Sequence, residues 1–224
     1  CVTERLTIDR IGHRGDGIAD THVGPAYVPY TLPGETVSVE EVPGSPDRRQ
    51  LLAVEVESPD RVAPLSPFFG PCGGCSLQHW ALPKQQEWKR QRVIGALVAA
   101  GIDANVDAII DAHGDGRRRI VLHARRQSGT LQVGFAAARS HAIVPVDRCP
   151  ILSPKMSGAI GAARAIARII GGSKPLDIQI TASDTGLDVD VRGSGTLNTA
   201  ATTALAKVAE AHKLLPVLVK DDKL

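Results

Sequence analysis

Two cysteines stand three positions apart around a glycine pair in the stretch GPCGGCSLQHW, Gly70 to Trp80. The glycines let the backbone fold tightly enough for Cys72 and Cys75 to face one metal ion. The spacing alone leaves three chemistries open: a zinc knuckle, a thioredoxin-like redox pair, and ligation of an iron–sulfur cluster. A redox pair sits at the start of a helix after a strand, and the proline-rich lead-in does not look like that strand. Cys149, in VDRCPILSP, is the plausible third thiol, and the proline after it echoes the Cys-Pro found after cluster ligands. Three unrelated thiols is the plain alternative. His79 lies within ligand reach of the pair, although a histidine beside a tryptophan is more simply a packed or surface residue. His123 and His141 have no carboxylate or nucleophile at a suggestive spacing, so ordinary polar roles are expected of them.

A second constellation is basic. From His113 to His141 the chain holds six arginines, three histidines and one acid, Asp115, within a protein whose formal net charge is only +2. A polyanion is the natural partner of such a block. Arg117, Arg118 and Arg119 lead into an expected strand, and Arg125 and Arg126 close it. Arginines at strand ends can grip phosphates bidentately, which suits an RNA or DNA backbone. A solvated charged rim is the competing interpretation. Phe135 and the pair Phe68–Phe69 could stack on bases, with core packing the simpler role.

The elements that must position these residues follow from periodicity. Residues 3 to 57 carry short strands with turn punctuation. Alternation in Thr36–Glu40 and Val54–Glu57 fits half-buried strands of a small barrel, with VPGSPDRRQ as a loop between two of them. Four prolines between Pro59 and Pro71 mark an extended connector. Leu82–Pro83 opens a helix running to about Ala100, with Gly101 as its stop and Lys84, Lys89, Arg90 and Arg92 on its polar face. RRRIVLHARR and TLQVGF form a hairpin, as do LDIQITA and LDVDVRG. Between the hairpins, Ser153 caps a helix that Pro154 starts and in which Met156, Ile160, Ala163, Ala167 and Ile170 recur at helical spacing before Gly171. Another helix runs from about Thr199 to His212. Strand pairs separated by helices predict an α+β domain with helices on one face of a sheet. The expected division is a barrel at 1–58, a linker with the cysteine motif at 59–82 and a central α+β domain at 83–224.

Composition narrows the function further. At 224 residues and 43% hydrophobic content the chain can bury real cores, built from aliphatic side chains because aromatics are few. No run approaches the roughly 18 apolar residues of a membrane helix. The start, CVTERLTIDR, has no signal-peptide pattern, so a cytoplasmic location is expected, and an opening at Cys1 without Met suggests a partial chain. Cysteines in that compartment favour a metal or redox site over a disulfide framework. No glycine-rich strand-to-helix turn for a nucleotide or nucleoside cofactor is evident, nor a doubly wound run of parallel strands.

Three ordered motifs together carry a resemblance: LTIDRIGHRGDGIAD…AYVPYTLPGETV, then SPFFGPCGGCSLQHW, then LQVGFAAARSHAIVPVDRCPILSP. In this combination the chain resembles the RumA/RlmD branch of the bacterial RNA uracil-5-methyltransferases over nearly its whole length. The resemblance implies an N-terminal TRAM domain, an OB-like β-barrel that binds RNA, followed by a central α+β domain bearing a [4Fe-4S] cluster. Cys72, Cys75 and Cys149 match three of the family's four cluster cysteines, and the fourth position is Ser66. A serine oxygen is a harder, poorer iron ligand than a thiolate, which leaves a cluster with one non-cysteine corner, a three-iron cluster or no cluster. Cys1 is remote in sequence from this site. Gly116 stands where many relatives place an aromatic before the arginine run.

In the family, a further domain binds S-adenosylmethionine and supplies the cysteine nucleophile and the base. No catalytic residue and no S-adenosylmethionine ligand is expected in this chain, which ends at KDDKL about where that domain would begin. The expectation is a monomeric, RNA-engaging portion of a 23S ribosomal RNA methyltransferase, inactive by itself. Phosphates would be held by Arg117, Arg118, Arg119, Arg125 and Arg126, and the glycine-rich turn from Arg14 to Gly17 would lie close to the RNA backbone. A stand-alone RNA-binding module with a vestigial metal site is the alternative, and a zinc-ribbon-like structural protein a third.

Overall fold

The computed structural model describes residues 3–111, 116–172 and 174–220, with backbone only at 216–220. The chain divides into two compact units. The first comprises Cys1–Gly70 with Cys75–Ile110, and the second Pro71–Gly74 with Asp111–Leu224. The helix expected at the start of the central domain therefore groups with the first unit.

In the first unit six strands form one sheet: β1 (Thr3–Thr7), β2 (Arg10–Ile11), β3 (Gly17–Thr21), β4 (Gly24–Val28), β5 (Thr36–Val42) and β6 (Ser45–Val56). Their order is β1-β5-β6-β4-β3-β2. Alternating apolar residues place Ile8, Ala19, Val28, Val37 and Val39 in a buried cluster, with Leu6, Leu51 and Val54 packed against it. The sheet is a half-barrel rather than the expected closed barrel. β1 and β2 are its edges, and Ile8–Asp9 carries the chain straight from one edge to the other. With only two residues, β2 is too short to add the closing ladder.

The expected loop VPGSPDRRQ is instead a tight hairpin, because Pro43 and Gly44, at φ 76°, suit the central positions of a type II turn. Val42 pairs directly with Ser45, and the rest of the polar run belongs to β6. Helix α1 (Leu82–Ala99) begins at the expected proline and buries none of its residues.

The second unit holds another six-stranded sheet: β7 (Arg119–Gln127), β8 (Thr130–Ala136), β9 (Ile143–Pro145), β10 (Leu176–Ala182), β11 (Leu187–Arg192) and β12 (Leu214–Lys220), in the order β12-β11-β10-β7-β8-β9. Both expected hairpins form, and β10 also pairs antiparallel with β7. Strand β12 pairs parallel with β11 and was not expected, since Pro216 interrupts its apolar run, a pattern that suits an edge strand. Helix α2 (Ala159–Ile170) lays Ala162, Ala163, Ile166 and Ala167 on the sheet, and α3 (Thr199–Ala211) packs beside it. The expected α2 starts too early in the sequence pattern. Ser153 caps a separate 3-10 turn over Pro154–Met156, and Gly158, at φ 83°, breaks the path before α2 begins. The α+β architecture with helices on one sheet face stands.

Candidate functional site

The cysteine segment is built from backbone contacts. Gly73 donates to the Ala136 carbonyl at 2.9 Å, Ala138 donates to the Pro71 carbonyl at 3.2 Å, and Cys72 forms a bridge with Ala137. A side chain on Gly73 would lie 3.0 Å from the Ala136 oxygen, so this glycine serves a close approach to the chain leaving β8. Cys149 begins a turn closed by Leu152 N–H at 3.2 Å. Cys72, Cys75 and Cys149 are half-buried thiols. Cys72 groups with the second unit and Cys75 with the first. Ser66 is occupied locally: its hydroxyl accepts from Phe68 N–H at 3.2 Å, and its own N–H donates to Gln78 Oε1 at 2.9 Å.

Among the described residues no group of three or more His, Cys, Asp or Glu side chains is gathered to hold a metal. Cys1, His113 and Asp115 lie outside the described residues.

His79 is fully buried and both its ring nitrogens lack a hydrogen-bond partner. It packs 5.4 Å from the Phe69 ring and 6.4 Å from that of Tyr30. Burial, with the Arg61 charge nearby, pushes its pKa down to about 4. His79 is thus a core residue, with the half-buried Phe69 packed against it. Beside them Glu35, with no exposed surface, accepts from Arg61 Nε at 2.5 Å and Nη2 at 2.7 Å, from Leu32 N–H at 2.9 Å and from Ser58 N–H at 3.2 Å. Burial alone would raise the Glu35 pKa, but these donors hold it below the ordinary carboxylate value.

The basic block is split by the β-pleat. Ile120, Leu122 and Ala124 of β7 are buried against the helices, so Arg119, His123 and Arg125 share the opposite face, while Arg126 lies on the helix side. His123 Nδ1 stands 2.7 Å from Asp177 Oδ1 on the neighbouring strand β10. Farther across that face come Asp188, Asp190 and Arg192 of β11, with Arg192 3.1 Å from Asp190, so acids outnumber bases there and the unbalanced positive charge of this face lies on β7. Arg117 and Arg118 precede β7 and act through their backbones as well: Arg117 N–H donates to the Ile151 carbonyl at 2.8 Å and the Arg118 carbonyl accepts from Ala182 N–H at 2.8 Å. Gly116, at φ 76°, lies against Leu152 and Ser153 with no room for a side chain, which accounts for a glycine before the arginine run.

Arg14 lines a small hollow of the first unit with His13, Asp16, Asp47 and Arg48. The glycines of its turn face inward: a side chain on Gly17 would collide with Thr31 Oγ1 at 2.0 Å, and one on Gly15 would meet Leu77 at 3.1 Å. They serve internal packing.

Compared with known proteins, the chain is 37% identical over 197 residues to an uncharacterized RNA methyltransferase of Brucella suis biovar 1 (strain 1330), covering 88% of this chain and 47% of that protein. Its relatives are named RNA methyltransferases. One from Rhizobium meliloti (strain 1021) is 40% identical over 85% of this chain and 47% of its own length. The 23S rRNA (uracil(1939)-C(5))-methyltransferase RlmD of Shewanella amazonensis is 30% identical over 95% of this chain and 50% of its own length. The chain thus spans about half the length of the curated relatives it matches. The fold matches the solved structure of Pyrococcus abyssi tRNA (uracil-54, C5)-methyltransferase in complex with S-adenosyl-L-homocysteine, with a TM-score of 0.64 and 20% identity over 98% of this chain and 52% of that one. No protein-family model matches the chain. No helix among the described residues is long and apolar enough to cross a membrane.

Two arginines escaped the sequence reasoning. Arg164 and Arg168 sit in an alanine-rich helical pattern and line a cavity on the second unit together with Arg126. Their spacing of four within α2, which puts both charges on one helix face, was the available signal.

Proposed function

We propose that this chain is the RNA-engaging part of an S-adenosylmethionine-dependent RNA uracil-5-methyltransferase that acts on ribosomal RNA in the cytoplasm. The observation that carries the proposal is likeness along both units to proteins named RNA methyltransferases, including a 23S rRNA uracil-C5 enzyme matched over 95% of this chain. Use of S-adenosylmethionine is supported by the fold neighbour, whose complex holds S-adenosyl-L-homocysteine. The half-barrel would serve as a TRAM-like RNA-binding module, and the chain would work as a monomer. Methyl transfer itself is assigned to none of its residues.

On the face of the second sheet opposite the helices, Arg119 and Arg125 would hold phosphate oxygens, with Arg117 and Arg118 at the strand entrance. The Asp177, Asp188 and Asp190 carboxylates would repel a backbone passing over β10 and β11, so the RNA would track along β7 and β8. The [4Fe-4S] cluster suggested by the family resemblance is given no role in these steps.

Fluorescence anisotropy with a single-stranded RNA oligonucleotide over a salt series tests this assignment. Log affinity is expected to fall with log salt by about 0.7 for each phosphate contact. Arg119→Gln/Arg125→Gln should bind about tenfold more weakly with a shallower slope. A flat salt response of the unaltered chain would count against phosphate-led binding.

A further inference from the structure

On the helix side of the second sheet three arginines come together. A cavity of about 440 Å³ is lined by Arg126 at the end of β7, Leu131 and Val133 of β8, Pro145 of β9, and Arg164 and Arg168 of α2. Among the described residues no carboxylate lines it. Among the described residues none of the three arginines forms an ion pair: Arg164 Nη2 donates to the Val146 carbonyl at 2.8 Å, Arg126 Nη1 makes a long contact of 3.4 Å to the Gly129 carbonyl, and Arg168 has no side-chain hydrogen bond. Three guanidiniums offer about fifteen N–H donors, most of them without a protein acceptor.

Like charges four apart on a helix destabilise it, and a third arginine facing the pair adds to the repulsion. The position of Arg168 in the last turn of α2, beside the negative end of the helix dipole, accounts for one of these charges and not for three. The fold nevertheless fixes the group. Arg126 N–H donates to the Gly172 carbonyl at 2.8 Å, and Gly171 packs so tightly on the end of α2 that a side chain there would meet the Ala167 oxygen at 2.2 Å. The end of β7 and the end of α2 are thereby tied together across the cavity.

We propose that Arg126, Arg164 and Arg168 form a phosphodiester-binding pocket for the RNA strand, an additional subsite that rests on the RNA-engaging function proposed above. A polymeric anion suits it better than a free phosphate because the pleat of β7 sends Arg125 to one face of the sheet and Arg126 to the other. A strand that leaves Arg125 and rounds the Ser128–Gly129 turn arrives at Arg126, and Leu131, Val133 and Pro145 offer it an apolar floor for a sugar or base.

The test is RNA affinity of the full chain over a salt series, with far-UV circular dichroism to check folding. Arg164→Gln/Arg168→Gln is expected to weaken binding about tenfold and to reduce the salt slope by roughly 0.7 to 1.4, one to two phosphate contacts. Arg164→Lys/Arg168→Lys should keep most of the slope. Arg126→Gln, on a different element, should lower the slope by about 0.7 and keeps the question answerable if the α2 variant does not fold. An unchanged slope in the glutamine variants, with salt-dependent binding by the unaltered chain, overturns the pocket and leaves the RNA-engaging function standing. Salt-independent binding by the unaltered chain overturns both. Inorganic phosphate that binds the arginine cluster by 31P line broadening, while RNA affinity ignores the substitutions, makes it a small-anion site and overturns the proposal.

Discussion

Arg61 of the first unit and the group of Arg126, Arg164 and Arg168 in the second meet opposite surroundings. In the first, Arg61 is consumed by the fold, gripping the buried Glu35 with two nitrogens and donating to the Tyr30 carbonyl at 2.9 Å. In the second, Arg126, Arg164 and Arg168 line a cavity that no carboxylate of the described residues enters. The residue type is the same, and the nearby acid decides its role: a paired guanidinium holds chain segments together, whereas an unpaired group of them awaits an anion. Breaking a buried ion pair from one side should therefore hurt folding, and removing an arginine without a carboxylate partner should hurt binding more than folding.

The largest expected effect is Arg61→Ala, which strands the Glu35 carboxylate in the core and should destabilise the first unit by about 3–5 kcal/mol. Trp80 and Trp88, the chain's two tryptophans, both belong to this unit. Urea unfolding followed by their fluorescence isolates the effect. A loss well under 1 kcal/mol would mean that the pair behaves like a surface contact.

His79 should produce the next effect. Its folded pKa of about 4 lies below the unfolded value of 6.5, so the unfolded chain takes up a proton that the folded one refuses. The stability this represents is fully present above pH 6.5 and is lost as pH falls towards 4, by about 3 kcal/mol in all. Glu35, held low by its donors, adds a separate loss at still lower pH. His79→Leu replaces an unpartnered buried ring by an apolar side chain. It should be neutral or stabilising at pH 7 and should remove the limb between pH 6.5 and 4 while leaving the lower one. Persistence of the full upper limb in the variant would assign that titration to another group.

Local patterns made much of this legible. Alternation in LDIQITA and LDVDVRG located β10 and β11, and the helix expected from about Thr199 to His212 matches α3. What stayed hidden depends on partners distant in the chain. Glu35 and Arg61 are 26 residues apart and look like any surface charges until the fold buries them. Arg125 and Arg126 look like a single clamp until the flanking burial shows which face each one takes. Gly73 and Gly17 looked like freedom for a metal or an RNA strand, and both instead permit close contact with another part of the same unit. Strand β3 was masked by its glycine-rich start, and β9 has only three residues, too few to display a period.

The smallest effect should come from Arg14, and it sharpens the contrast most. Arg14 is exposed and was expected to touch RNA, as were the arginines of the second unit. Its hollow also contains Asp16 and Asp47, with Arg48 lying 3.8 Å from Asp16, so positive and negative charge are closely mixed there. A phosphate approaching Arg14 would meet two carboxylates at the same distance scale, within the reach of screening at physiological salt. Arg14→Gln should then change RNA affinity by roughly a factor of two, about 0.4 kcal/mol, and leave the salt slope almost unaltered. If Arg14→Gln instead matched the tenfold loss expected of Arg164→Gln/Arg168→Gln, the presence of neighbouring acids would cease to separate structural from binding arginines in this protein.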